Sequence, residues 1–197
     1  NGTSWSGIGT VARSSESAFT QAVAAYGQMF FVDNGLYTTY DPVKNSGTFE
    51  PWEADTAGEI PEGCRLAAFY RGRMVLGRSD KEPHTIFASA VGDPYNWDFF
   101  PKTDSLTKAF GGANQDTARN PDVVNALAPF YDDVLLVGGD HSITQYRGDL
   151  SEIGQVDYFT DVTGMAFGNS WALSPEGLMY FFGSRGGVWV MSPRSDG

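Results

Sequence analysis

Apolar and polar positions along this chain fall into a layout that recurs four times. The stretches are AVAAYGQMFFVDNGLYTTYDP (22–42), LAAFYRGRMVLGRSDKEPHTIFASAVGDP (66–94), ALAPFYDDVLLVGGDHSITQYRGD (126–149) and WALSPEGLMYFFGSRGGVWVMSP (171–193). Each opens on a short, mostly Ala-containing apolar run and then turns at Gly27, Gly72, Asp133 or Gly177. A second apolar run follows (MFFV, MVLG, VLLV, MYFF), then a turn at Asn34-Gly35, Gly77, Gly138-Gly139 or Gly183. A third run alternates (LYTTY, TIFASA, SITQYR, VWVM) and closes at Asp41-Pro42, Asp93-Pro94, Gly148-Asp149 or Ser192-Pro193. Short runs rich in Val, Phe, Tyr and Ile, cut by Gly and Asn-Gly, predict strands joined by hairpins. Asp before Pro adds a turn-initiating side chain and a preset φ.

Three or four strands repeated every ~45 residues are the pattern of β-propeller blades. The predicted fold is all-β: a β-propeller-like repeat of four antiparallel blades, open to being part of a larger propeller. A β-sandwich with recurring hairpins is the alternative. The chain reads as a single propeller-type domain or segment, with units at 17–53, 58–101, 121–160 and 164–193 and an inserted polar loop at 102–120. Two stretches look helical by composition alone, SESAFTQAVAAY and NPDVVNALAPF, the latter with Asn120 as cap and Pro121 at the first position. Both align with the first strand of a unit, so the repeat overrides propensity. TDSLTKAF (103–110), ending before Gly111, is the one stretch predicted as a short helix.

Composition narrows the function classes. The 197 residues include 13 basic and 24 acidic side chains, a formal net charge of −11, which argues against a surface built on phosphate contacts. The basic cluster Arg71, Arg73 and Arg78 is read as solvated turn charge. A single cysteine, Cys64, excludes an intrachain disulfide, and its place in CRLAAFY predicts a small buried residue. No apolar run is long enough to span a bilayer and no signal peptide is visible. The sequence starts with Asn, which is the expectation for a processed product or a segment of a longer polypeptide.

Motifs that carry chemistry are sparse. His84 and His141 fall at corresponding hairpin loops of units two and three, and no G-x-S-x-G provides a nucleophile elbow. Metal spacings such as Cys-x-x-Cys, His-x-x-x-His or an alternating calcium loop do not occur. Asp140-His141 is a lesser candidate. Asp132, Asp133 and Asp140 are turn residues, and Glu50, Glu53, Glu59 and Glu62 form a charged linker surface. Asn1-Gly2-Thr3 and Arg147-Gly148-Asp149 match short glycosylation and integrin triplets, the second serving as the closing turn of unit three. No catalytic residue, metal or cofactor is expected. The densest stretch is SAVGDPYNWDFF (89–100), which reads first as a corner between strands. Tryptophans Trp5, Trp52, Trp97, Trp171 and Trp189 are assigned to packing between blades.

The run IFASAVGDPYNWDFF, followed by VVNALAPFYDDVLLVGGDHSITQYRGD and LMYFFGSRGGVWVM, resembles β-propeller segments in structural proteins of tailed bacteriophages. The likeness is to the tail nozzle or tail tubular type of short-tailed phages and covers roughly residues 66–191. It implies a non-catalytic virion component of the tail or neck, made in the host cytoplasm and assembled around the channel through which DNA leaves. Its partners would be copies of itself and neighbouring virion proteins, with no specific nucleic-acid binding and no membrane. An acidic surface suits a conduit that must let DNA slide. Nozzle proteins are much longer and carry platform regions that do not appear here, so the segment is expected to be incomplete or to close with a neighbour. Candidate assembly or ligand contacts are Asp93, Tyr95, Asn96, Trp97 and His141. The alternative function is a carbohydrate-binding or receptor-binding propeller module, with a glycan on Trp97, Tyr95, Asp93 and His141.

Overall fold

A computed structural model describes residues 19–44, 49–103, 105–111, 118–150 and 155–192. Blade 1 is a four-stranded antiparallel meander of β1 (Gln21–Ala25), β2 (Gln28–Asp33), β3 (Leu36–Tyr40) and β4 (Phe49–Pro51). Its first two hairpins are two-residue turns, Tyr26-Gly27 and Asn34-Gly35, with positive φ at both positions. That geometry matches the right-handed twist of the flanking strands. After the short β5 (Ala57–Gly58), blade 2 is built from β6 (Leu66–Tyr70), β7 (Arg73–Gly77) and β8 (Ile86–Ala88), followed by β9 (Asn96–Trp97).

Blade 3 repeats the full meander with β10 (Ala126–Phe130), β11 (Val134–Gly138), β12 (Ile143–Arg147) and β13 (Gln155–Thr160). Blade 4 has three strands among the described residues, β14 (Trp171–Leu173), β15 (Met179–Phe182) and β16 (Val188–Met191). The four-blade expectation holds, and the two helix-like stretches overridden by the repeat do enter strands β1 and β10.

Two expectations fail. The stretch 103–110 forms no helix where it is described; Leu106-Thr107 is a turn. Its carbonyls are taken by a tertiary partner, because Arg73 donates to Leu106 O (3.2 Å) and Lys108 O (2.6 Å). Trp97 also does not begin an antiparallel outer strand. β9 pairs in parallel with β5, Ala57 opposite Asn96 and Gly58 opposite Trp97. The approach is so close that a Cβ on Gly58 would overlap the Trp97 backbone. Only glycine tolerates that position.

Three apolar cores lie between successive blades. Phe30, Val32 and Trp52 of blade 1 meet Ala67, Met74 and Leu76 of blade 2. Leu66, Ala68 and Val75 on the other face of blade 2 meet Leu127, Leu135 and Tyr146 of blade 3. Ala128, Leu136 and Ile143 then meet Met179, Phe181 and Met191 of blade 4. Alternate residues of each strand serve opposite junctions, which is the period-two logic of a sheet buried on both faces.

Candidate functional site

The corner 89–100 is held by its own short polar side chains. Asp93 Oδ1 accepts from Tyr95 N (2.9 Å), Asn96 Oδ1 from Asp98 N (3.1 Å) and Asp98 Oδ1 from Phe100 N (2.9 Å). Asp41 does the same in blade 1, its Oδ1 accepting from Val43 N and Lys44 N. Such Asx turns bend the chain without a strand ladder.

The aromatics of the corner belong to the junction of blades 1 and 2. Trp97 is fully buried, and its indole N–H donates to Pro94 O at 3.0 Å. Trp52, arriving from blade 1, donates to the same carbonyl at 3.0 Å, and the two rings lie 6.0 Å apart. Tyr95 is half-buried and donates to Gln28 Oε1 at 2.7 Å, again across the junction. Phe30 and Tyr37 meet Trp52 edge-on at 4.8 and 5.8 Å. Four of the five candidate residues are therefore brought together, and packing and turn geometry use them. Trp97 presents no ring face to solvent. A groove of about 440 Å³ beside it is lined by Phe87, Phe99, Phe100 and the exposed Glu62–Lys81 ion pair.

His141, the fifth candidate, sits apart in the β11–β12 hairpin of blade 3. It is exposed, and its backbone N–H donates to Asp122 Oδ2 at 2.6 Å. Asp122 also accepts from Val123 N, Ser142 N and Ser142 Oγ. Burial would raise the Asp122 pKa, but these donors outweigh it and hold the carboxyl below its usual range. Asp122, Asp140 and His141 place ligand-type atoms within 4.8 Å of one another. The arrangement is first a hairpin staple, with Asn125 donating to Asp140 Oδ1 at 2.5 Å.

The formal integrin triplet is spent in the same way. Gly148 O accepts from Tyr70 OH (2.8 Å), and Asp149 Oδ1 accepts from Arg73 Nη2 (3.0 Å). Arg73 corrects the reading of the basic cluster as solvated charge, because its side chain is fully buried. Besides Leu106 O and Lys108 O, its guanidinium donates to Ser89 O (2.8 Å). Burial lowers the Arg73 pKa and Asp149 opposes that shift. The guanidinium fork supplies the fixed donors that one buried cation needs. Arg78 is likewise engaged, donating to Asn125 Oδ1 (2.8 Å) and lying over the Phe167 ring.

A device that the sequence reading missed recurs at the first hairpin of three blades. Tyr26, Arg71 and Tyr131 all have positive φ, and each reaches the corresponding turn of the next blade. Tyr26 OH donates to Gly72 O (2.6 Å), Arg71 Nη1 to Asp132 O (3.4 Å) and Tyr131 OH to Gly177 O (2.7 Å). Holding a non-glycine residue at positive φ costs about 1–2 kcal/mol, so the surrounding structure must over-determine it. The signal was present: AYG, FYRG and FYDD each put a long donor just before the turn.

Cys64 is buried as expected, which pushes its thiol up to about 12, and its N–H donates to Tyr37 OH. Of the tryptophans, Trp52 and Trp97 pack between blades, Trp171 is half-buried and Trp189 is exposed. Trp5 and the Asn1-Gly2-Thr3 triplet lie outside the described residues. Among the described residues no helix is long and apolar enough to cross a membrane.

No family model matches the chain, and no curated protein matches it. Solved structures do. The computationally designed Ika4 protein superimposes with a TM-score of 0.52 at 14% identity, over 90% of this chain and 92% of that one. Kluyveromyces lactis Hsv2 gives 0.55 at 10% identity, over 89% of this chain and 49% of that one. The fold is that of a β-propeller. The chain spans about half of Hsv2, a propeller protein, and at such identity the likeness carries architecture alone.

Proposed function

We propose that the chain is a non-catalytic structural component of a phage virion, a nozzle-like part of the tail or neck that assembles with copies of itself and neighbouring virion proteins. One observation carries the reading: the polar and aromatic groups of its most elaborate loops are consumed by turns and blade junctions. What is left bare instead are apolar sheet faces, including Tyr180, Phe182, Val188 and Val190 of blade 4. Exposed apolar surface of that kind marks contacts between proteins. The net charge of −11 fits a part that lines or flanks a DNA conduit without holding DNA. The glycan-binding alternative loses support, because its main aromatic, Trp97, offers no stacking face.

The test is compositional. Peptides of this chain should be found in gradient-purified particles of the source phage, at a fixed stoichiometry to other tail proteins. Antibody label should fall on the tail or neck. A chain confined to the soluble fraction of infected cells, absent from particles, would sink the proposal.

A further inference from the structure

A ring of blades has as many junctions as blades, whereas an open arc has one fewer. Four blades here share three cores among the described residues. Among the described residues the outer faces of blades 1 and 4 share no core, and what joins the two blades is polar, Gln21 Nε2 donating to Asn169 Oδ1 (2.7 Å). On blade 4 the registers Ala172↔Tyr180↔Val190 and Phe182↔Val188 place these residues on one face, because directly paired antiparallel residues point the same way. That face looks away from blade 3. Tyr180, Phe182, Val188 and Val190 on it are 42%, 59%, 65% and 60% exposed.

Blade 1 ends the arc with an outer face whose large side chains, Met29, Phe31, Tyr40 and Phe49, are half-buried. The registers Ala24↔Met29↔Tyr40↔Phe49 and Phe31↔Thr38 put these residues opposite Phe30 and Val32, which pack on blade 2. Both end faces are apolar sheets in the style of the internal junctions. One chain thus carries both halves of a blade-to-blade contact, on the outer faces of its first and last described blades.

We propose that blade 4 of one chain packs on blade 1 of a second copy, and that two copies close an eight-bladed ring. Each copy gives its blade 4 to the other's blade 1, so a two-fold axis relates the pair and the ring closes at two copies. It continues the junctions already formed between blades 1 to 4. Propellers run to about 4–8 blades, so two four-bladed copies fill the range and three copies exceed it. The junction between copies lacks the tyrosine or arginine clasp, since the equivalent turn of blade 4 is Pro175-Glu176-Gly177. It rests on apolar contact, and the dimer should be looser than the fold. This inference stands apart from the virion role.

Sedimentation velocity from low to high micromolar protein tests it. Wild-type chain should reach twice its 21.4 kDa mass. Val190→Lys on the blade 4 face and Met29→Glu on the blade 1 face should each lose the dimer while keeping the wild-type unfolding midpoint of the monomer. Mixing the two variants should restore a dimer, because the mixture keeps one intact blade 4–blade 1 contact. A wild-type chain that stays monomeric throughout overturns the proposal. So does a dimer that survives Met29→Glu, or a mixture that fails to restore one; the former marks a contact between two blade 4 faces, the latter a contact that is not head-to-tail.

Discussion

Blades 2 and 4 are both three-strand meanders among the described residues, yet their surroundings differ in kind. Nearly every residue of β6, β7 and β8 is buried, since blade 2 has a neighbour on each face. Blade 4 alternates buried and exposed along β15 and is exposed over most of β16. Its outward residues are no more polar than those of blade 2. Sequence pattern therefore specifies that a strand belongs to a blade, and the neighbours decide how much of its apolar content leaves water. Mutations that probe the two blades should separate these contributions.

The largest expected effect is in blade 2, at Arg73. Its fully buried guanidinium ties together Ser89 O, Leu106 O, Lys108 O and the partly exposed carboxylate of Asp149 of blade 3. Removing one member of a buried ionic set leaves the others uncompensated, at about 3–5 kcal/mol. Arg73→Met should lower stability by that order in urea unfolding. Arg71→Met, two residues away and exposed, should change it by less than about 0.5 kcal/mol. Equal effects at the two positions would show that the buried network contributes nothing special.

Next is the apolar contrast itself. Leu76→Ala removes a fully buried side chain from the junction of blades 1 and 2, with an expected loss of about 2–5 kcal/mol. Val190→Ala, on the bare face of blade 4, should cost less than about 0.5 kcal/mol in the monomer. The comparison must be made at low protein concentration, because association would stabilise the wild-type chain by mass action. A large monomer penalty at Val190 would mean that blade 4 has a neighbour within its own chain.

Much of this architecture was legible because hairpin chemistry is local. Ala-containing first strands, Asn34-Gly35 and the Asp-Pro closures announce their own geometry. What escaped depends on contacts distant in sequence. Arg73 reads as a surface charge until Asp149, 76 positions on, is placed beside it. Stretch 103–110 reads as a helix until Arg73 claims its carbonyls. Trp97 reads as an outer strand because nothing near it indicates parallel pairing with Ala57-Gly58. The corner was correctly seen as a corner, yet its listing as a contact site followed from aromatic content, which cannot distinguish a packed ring from a presented one.

A smaller effect, and one with a pH signature, belongs to blade 3, which like blade 2 is covered on both faces. Asp122 staples the β11–β12 hairpin, and its donors keep its folded pKa below the ordinary carboxylate value of about 4. A depressed pKa contributes stability that is present above the unfolded value and lost as pH falls through the folded one. Asp122→Asn should cost about 1 kcal/mol at neutral pH, the scale of a partly exposed charge-assisted set. The gap between variant and wild type should close as pH drops below ~4. A gap that stays constant across that range would assign the loss to packing and not to the carboxylate.

The smallest effect tests whether the blades are fastened by their turns or only by their cores. Tyr26→Phe and Tyr131→Phe each delete one hydroxyl that bridges to the next blade, from side chains that are 41% and 47% exposed. Water can replace an exposed donor, so each should cost only about 0.5 kcal/mol. The double variant should be additive, because the two clasps serve different junctions and share no partner. Direction matters more than size here. The Tyr131 hydroxyl crosses to the turn of blade 4, which has one neighbouring core, whereas Tyr26 crosses to blade 2, which has two. Hydrogen exchange in β14 and β15 should therefore quicken on Tyr131→Phe, while exchange in β6 and β7 stays at the global rate on Tyr26→Phe. Blade 4, held from one side, is where a single lost hydrogen bond becomes visible as local opening.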